Sequence, residues 1–446
     1  MDMKQALAYL DDHTSRDGTR RGRPGPGLPV AGATDGLSLE PMRELLAALG
    51  NPQDAYRKFH ITGTNGKGST ARFVTALVAA TDLSVGTYTS PDIERINERL
   101  SWAGEPISDA DFARVMSLIA GIEPLVEHRP SRFEILTTAA LVWFAELAVD
   151  VAVVEVGMLG RYDATNVIDA EVAVVTNIGK DHTDGAEGWA ETVAREKAGI
   201  IHPDSRLVLG SPMGDLLPIF TAEQPREVWM ADRDFEVVRN ELAVGGRLLD
   251  IRTPDAVYDE LFLPFHGAHQ GDNLATALVA VEAFFGRPSP QEQAEFALTT
   301  VDLPARFEVV NQSPIVILDG AHNPPGAQAA KGTLDETFAR LGSWVLVVGM
   351  LTGKDPREML EAFDAADFDA IICCQPNWSR AQPAAEVAAA ARSMGLSAEV
   401  VPDPAEALRR ALAVTADDDL ILVSGSLYVV GDARPAARAL LGPPPD

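Results

Sequence analysis

Residues 58–71 read KFHITGTNGKGSTA. The alternating apolar residues at the start predict a buried strand over 58–62. The Ala, Val and Phe spacing that follows predicts a helix over 69–80. Between them Gly63, Gly66 and Gly68 punctuate a tight turn. Strand, glycine loop and helix is the layout of a phosphate cradle. Glycines let backbone N–H groups point inward, the helix N-terminus adds a positive dipole end, and a lysine reaches the terminal phosphates. Lys67 stands in the lysine's place, and Ser69 or Thr70 offers a hydroxyl to Mg²⁺. The string departs from G-x-x-x-x-G-K-[ST], because its first glycine lies too close to Gly66 and Gly68 takes the Ser/Thr position. On the glycines alone, a plain tight connection competes with a nucleotide site.

The chain has 446 residues, enough for two or three domains. Its apolar content supports full cores, and no run suggests a membrane span. The first residues, MDMKQALAYLDDHTSRD, lack a signal-peptide hydrophobic region. Cys373 and Cys374 are the only cysteines and are adjacent, so no disulfide framework is expected and a reducing cytoplasm fits. The net charge of -28 argues against nucleic acid or an anionic membrane as partner. An anionic substrate must then be held by a few local cations.

In order, residues 14–36 predict a loop and 37–49 a short amphipathic helix. A second strand over 83–89 ends at Ser90-Pro91, and the charged run 92–108 reads as a surface excursion. A helix over 133–148 precedes a strand over 151–156 that delivers Glu155 at its carboxyl end. That is where α/β folds place ligands, and a carboxylate there suits Mg²⁺. A carboxylate capping the next turn is the competing reading. The strand over 172–178 leads to Asp181-His182, and a helix over 189–201 carries Lys197, which by itself reads equally as a surface lysine. Residues 205–263 alternate short strands and turns, with Gly245-Gly246 as a hairpin signal. His269-Gln270-Gly271-Asp272-Asn273 opens an Ala-rich helix. A boundary is read at 302–308. Strands near 314–319, 343–349, 368–374, 397–401 and 419–423 then form a second, smaller α/β domain.

The string G-T-x-G-K-G-S resembles the ATP loop of the Mur ligase superfamily, most of all its folylpolyglutamate synthase/dihydrofolate synthase branch. The likeness continues through Ser90-Pro91, Glu155 to Asn166, Asp181-His182, Glu196-Lys197-Ala198-Gly199, Asn273, Arg306, Asp319-Gly320-Ala321-His322-Asn323-Pro324 and Gly425-Ser426-Leu427-Tyr428. It spans about Leu45 to about Arg434. This chain departs from the pattern at Asp92, where the family has His, at Leu159 and Ala305, each replacing a glycine, and over Ala186–Trp189.

The resemblance implies an α/β fold: an N-terminal P-loop ATPase-like domain with a mostly parallel sheet, residues 1–302, and a smaller C-terminal Rossmann-like domain, residues 303–446. It implies an ATP-dependent amide ligase that adds L-glutamate to dihydropteroate or folates through an acyl phosphate. Thr64, Asn65, Gly66, Lys67, Gly68, Ser69 and Thr70 would hold the phosphates, with Asn273 facing adenine. Ser69, Ser90, Glu155 and His182 would surround Mg²⁺, with two metal sites expected. Lys197 would be carbamylated and help bind the second ion. Arg306, Asp319 and His322 would close from the second domain. The resemblance also implies a monomer. A P-loop nucleoside triphosphatase or kinase, a cell-wall Mur ligase and a non-catalytic nucleotide- or folate-binding relative are the other readings.

Overall fold

The computed structural model describes residues 1–14, 31–32, 37–181 and 186–442, and the structure is given for these. The loop expected over 14–36 and the candidate ligand His182 fall largely or wholly outside them. The first sheet comprises β1 (Arg57–Thr62), β2 (Val85–Tyr88), β3 (Leu100–Trp102), β4 (Glu105–Pro106), β5 (Val151–Glu155), β6 (Val172–Val175), β7 (Arg206–Leu209) and β8 (Glu227–Met230). Their order is β4-β3-β2-β5-β1-β6-β7-β8. From β2 to β8 all neighbours are parallel, and β3 and β4 add an antiparallel edge.

The central strands are apolar at nearly every position because both faces are covered. Phe59, Ile61, Val151, Val153, Val172 and Val174 pack under the helices Lys67–Ala79 and His269–Phe285. On the other face Ala152 and Val154 meet Ile135, Leu136 and Ala139 of the helix Arg132–Glu146. Ser131 caps that helix, with Glu134 reaching back to close the capping box. A small antiparallel sheet of β9 (Glu236–Ala243), β10 (Gly246–Arg252) and β11 (Val257–Leu263) lies against the helix His269–Phe285 through Leu249, Ile251 and Leu261.

The third sheet comprises β12 (Glu308–Gln312), β13 (Ile315–Leu318), β14 (Trp344–Val348), β15 (Ala370–Cys373), β16 (Ala398–Val400) and β17 (Leu420–Ser424), in the order β12-β13-β17-β14-β15-β16. Only β12 runs antiparallel to its neighbour. Cys373 and Cys374 are buried free thiols, and burial pushes the Cys373 thiol up to about 12. No described helix is long and apolar enough to cross a membrane.

Helices that escaped the sequence reading include Met3–Thr14, Asp109–Ile122, Gln291–Leu298 and Leu217–Thr221, the last inside the stretch read as strands and turns. The run 92–108 is also not a simple surface excursion. It forms the edge hairpin, and Ile96, Leu100 and Ile107 are buried against the helices flanking it. The apolar residues there are spaced too irregularly to announce a period.

The two positions where the resemblance expects glycine keep a glycine's backbone. Leu159 has φ 58° and Ala305 φ 57°, both in the left-handed region. For an L-residue that conformation costs about 1–2 kcal/mol. Ala305 is fully buried. Replacing it by glycine would relieve that strain but lose about 0.8 kcal/mol of methyl burial and about 0.4–1 kcal/mol of chain entropy. The terms nearly cancel. Ala305→Gly should therefore shift unfolding free energy by less than about 1 kcal/mol, whereas Ala305→Val, branched and overpacked, should cost about 2–4 kcal/mol. Denaturant unfolding of both variants checks this, and a well-tolerated Val would show that the linker relaxes out of the left-handed region.

Candidate active site

Strand order brings four chain segments to one edge. β2, β5, β1 and β6 are neighbours, so their carboxyl ends set Ser90, Glu155, the Gly63–Gly66 loop and Asn177 side by side. A cleft of about 810 Å³ lies between this edge and the loops of the third sheet, where Arg306, Asp319, His322 and Lys354 line it.

The loop leaves no room for side chains at two glycines. A Cβ at Gly63, φ 150°, would fall 1.8 Å from Thr176 Oγ1, and one at Gly66, φ 81°, would fall 2.3 Å from Asn273 Oδ1. Lys67 begins the following helix, and its Nζ donates to the carbonyls of Gly63 (3.0 Å) and Thr64 (3.2 Å). Asn177 and Thr176 brace the loop from β6. Asn177 Oδ1 accepts from the N–H groups of Thr64 (3.2 Å) and Asn65 (3.0 Å), and Thr176 Oγ1 donates to Asn65 O at 2.6 Å. Of the two hydroxyls expected at the loop, only Ser69 lines the cleft. Thr70 is wholly buried behind it with no hydrogen-bond partner for Oγ1, so its side chain does not face the nucleotide position. Asn273 donates to Gln270 Oε1 at 3.0 Å and abuts Gly66.

Glu155 is 4% exposed, and its Oε2 accepts from Ser90 N–H at 2.9 Å. Both its oxygens would lie within 3.8 Å of a Cβ at Gly68, next to Ser69. Burial raises its pKa, against the pull of Lys67, the Ser90 N–H, Arg306 and Arg72. A dication beside it would offset that burial. Ser69, Ser90 and Glu155 offer hard oxygens of the kind Mg²⁺ takes, so the donor set fits. Among the described residues no cluster of three His, Cys, Asp or Glu side chains forms a metal centre by itself. Donors beyond these, phosphate oxygens among them, would have to complete the shell.

Lys197 is buried, 4% exposed, and its Nζ donates to Gly63 O at 2.8 Å. That is the carbonyl Lys67 also uses. Burial first, and Lys67 second, hold the Lys197 amine well below the usual lysine range, with Asp181 and Asp163 opposing. It is not a surface lysine.

From the second half of the chain, Arg306 lies between the two walls. A Cβ at Gly320 would fall 2.7 Å from its Nη1, and one at Gly68 4.0 Å from its Nη2. Asp319 accepts from the N–H groups of Phe307 and Ala321, each at 2.9 Å, and so ties the linker to the turn. His322 Nδ1 is 3.0 Å from Gly320 O, and its Nε2 is 3.7 Å from Asp181 Oδ2. Asp181 also pairs with Lys354 at 2.5 Å. Asn323 meets the phosphate loop directly, donating to Asn65 Oδ1 at 2.9 Å while capping the helix Pro324–Thr337. At the far side Arg434 bridges Glu94 (2.7 Å) and Glu308 (2.8 Å).

The chain matches the Mur ligase middle domain over residues 61–281 and the Mur ligase glutamate ligase domain over residues 305–427. It is 37% identical to the dihydrofolate synthase/folylpolyglutamate synthase of Mycobacterium tuberculosis, across 92% of this chain and 91% of that one. The chain belongs to the dihydrofolate synthase/folylpolyglutamate synthase family of Mur ligases. A Mycobacterium tuberculosis folylpolyglutamate synthase complexed with ADP and AMPPCP superposes with a TM-score of 0.86 at 35% identity, covering 100% of this chain and 99% of that one. A bifunctional folylpolyglutamate synthase/dihydrofolate synthase with Mn, AMPPNP and L-glutamate bound gives 0.84 at 28% identity, covering 98% of each chain.

Within this Mur ligase site, the sequence reading missed Asn177, Lys354 and the Asn65–Asn323 contact. Asn177 follows directly on the predicted strand's apolar core and could have been suspected as another strand-end polar group. Lys354 carries no local signal. Asp92, where the resemblance expects His, forms an ion pair with Arg99 at 2.5 Å, and Arg99 lines the cleft. The departure therefore comes with a local partner.

Proposed function

We propose that this chain is an ATP-dependent ligase that joins L-glutamate to dihydropteroate, to folates, or to both, releasing ADP and phosphate. The observation that carries the reading is one cleft with a phosphate loop, a buried carboxylate and a lysine on one wall, and Arg306, Asp319 and His322 on the other. A carboxylate does not react with an amine at neutral pH. Transfer of the ATP γ-phosphoryl to it makes an acyl phosphate, which the amino group of glutamate attacks as phosphate leaves. Negative charge gathers on oxygens throughout, so the protein's part is positioning and preorganised positive charge.

Lys67 and the N–H groups of residues 64–69 hold the β and γ phosphates. Arg306, lying between the walls, neutralises the transferred group, while Asp319 fixes the linker that carries Arg306. Ser69, Ser90, Glu155 and His182 would hold Mg²⁺, which would supply charge stabilisation when bound. A carbamylated Lys197 would complete a second site. Asn273 lies on the adenine side. We take residues 1–302 and 303–446 as two domains whose closure excludes water from the acyl phosphate. We further place the protein in the cytoplasm as a monomer.

Phosphate release should require ATP, L-glutamate and dihydropteroate or a folate together. Release without the acid acceptor would point to a nucleoside triphosphatase, and phosphoryl transfer without amide formation to a kinase. Release dependent only on a cell-wall precursor would move the chain to another Mur ligase branch.

A further inference from the structure

β1 turns Phe59 and Ile61 toward the phosphate-loop helix, which leaves His60 and Thr62 on the opposite face. Both reach the loop over 157–165, which supplies Met158, Leu159, Tyr162 and Asp163 to the cleft wall. Thr62 Oγ1 donates to Leu159 O at 2.6 Å. His60 is fully buried, with Nε2 2.8 Å from Thr165 Oγ1. Thr165 Oγ1 is in turn 2.5 Å from Asp163 Oδ1.

The protons in this chain can be counted. Asp163 Oδ1 also accepts from Thr165 N–H at 3.0 Å, and its Oδ2 accepts from Met158 N–H at 2.8 Å. Burial raises the Asp163 pKa, and these donors oppose that push and suit the ionised carboxylate. The single hydroxyl proton of Thr165 then goes to Asp163, so Thr165 Oγ1 accepts from the imidazole. His60 Nδ1 is buried with no partner, which leaves Nε2 to carry the proton. Burial pushes the imidazole down to about 3, so it stays neutral.

We propose that His60 is a positioning residue: as the Nε2–H tautomer it donates to Thr165, whose hydroxyl donates to Asp163, and this chain of hydrogen bonds holds the 157–165 loop in the pose that presents Asp163 to the cleft. Asp163 is only 8% exposed and lines the cleft. The nucleotide side does not depend on His60, because the phosphate loop is braced from β6 by Thr176 and Asn177. On the ligase reading we place the acid substrate against this 157–165 wall, so that His60 acts on that side of the cleft.

The kinetic arm of the test rests on the ligase reading, and the spectroscopic arm does not. His60→Leu removes the donor at similar volume, and His60→Gln can restore one. His60→Leu should raise KM for dihydropteroate or folate about tenfold, the scale of one buried hydrogen bond, while KM for ATP stays within about twofold. His60→Gln should recover most of that loss. Nitrogen-15 spectra of the parent protein should show a neutral His60 protonated at Nε2. An Nδ1–H tautomer would overturn the proposal even if His60→Leu failed to fold. So would a His60→Leu protein with lowered thermal stability but unchanged KM values, or equal losses in both variants. If no preparation turns over, the ligase reading fails while the tautomer result still decides the hydrogen-bond chain.

Discussion

Lys67→Ala should cut ligase turnover by roughly a hundredfold to a thousandfold while leaving the protein folded. The amine begins the phosphate-loop helix and spends its hydrogen bonds on two carbonyls of its own loop, at 3.0 and 3.2 Å. It has no carboxylate ion pair among the described residues, so nothing in the core depends on it. When nucleotide enters, the same ammonium can leave those carbonyls for the terminal phosphates. Removing one preorganised charge from a transferring phosphoryl group costs about 3–4 kcal/mol, or roughly a hundredfold to a thousandfold in rate. The stability change should stay within about 1 kcal/mol, a shift of about 1 °C in Tm for a chain of this size. Steady-state phosphate release and a thermal melt on the same preparation test both halves. A mutant with near-parental turnover would remove the loop from the mechanism, and one that lost activity and fold together would make Lys67 structural.

Lys197→Ala should lose most activity and regain part of it with added short carboxylic acids. Carbamylation needs the free amine: the nitrogen attacks CO₂, one N–C bond forms and one proton leaves. Lys197 is placed for this, buried and sharing the Gly63 carbonyl with a second lysine, so that its proton is held weakly. The product is an oxygen-bearing anion suited to Mg²⁺, which an ammonium is not. Losing a ligand of that kind should cost about a hundredfold or more in rate. A small carboxylic acid diffusing into the space left by the truncated side chain can stand in for the missing carbamate oxygens. Carbon-13 carbon dioxide should label the parent enzyme with a carbamate signal that is lost in the variant. An active Lys197→Ala enzyme and an unlabelled parent would together rule out the modification.

Much of this protein was legible in the residues alone. The strand, glycine loop and helix around Lys67 are local patterns. So are the apolar run ending in Glu155 and the restart of α/β alternation after residue 302. Each needs only the chain within a few turns, where hydrophobic period and glycine placement are direct consequences of backbone geometry. The order of the strands is not local. β5 lies between β2 and β1, and β6 beyond β1, so Ser90, Glu155, the loop and Asn177 meet although they are far apart in sequence. Only that order shows Asn177 bracing the loop, and only packing turns Thr70 away from the cleft while burying Lys197 against Gly63. Lys354 and Asn323 belong to the site because the third sheet docks its loops on the first. The left-handed backbone at Leu159 and Ala305 is likewise a product of tertiary fit, since neither residue type asks for it and the surrounding contacts impose it.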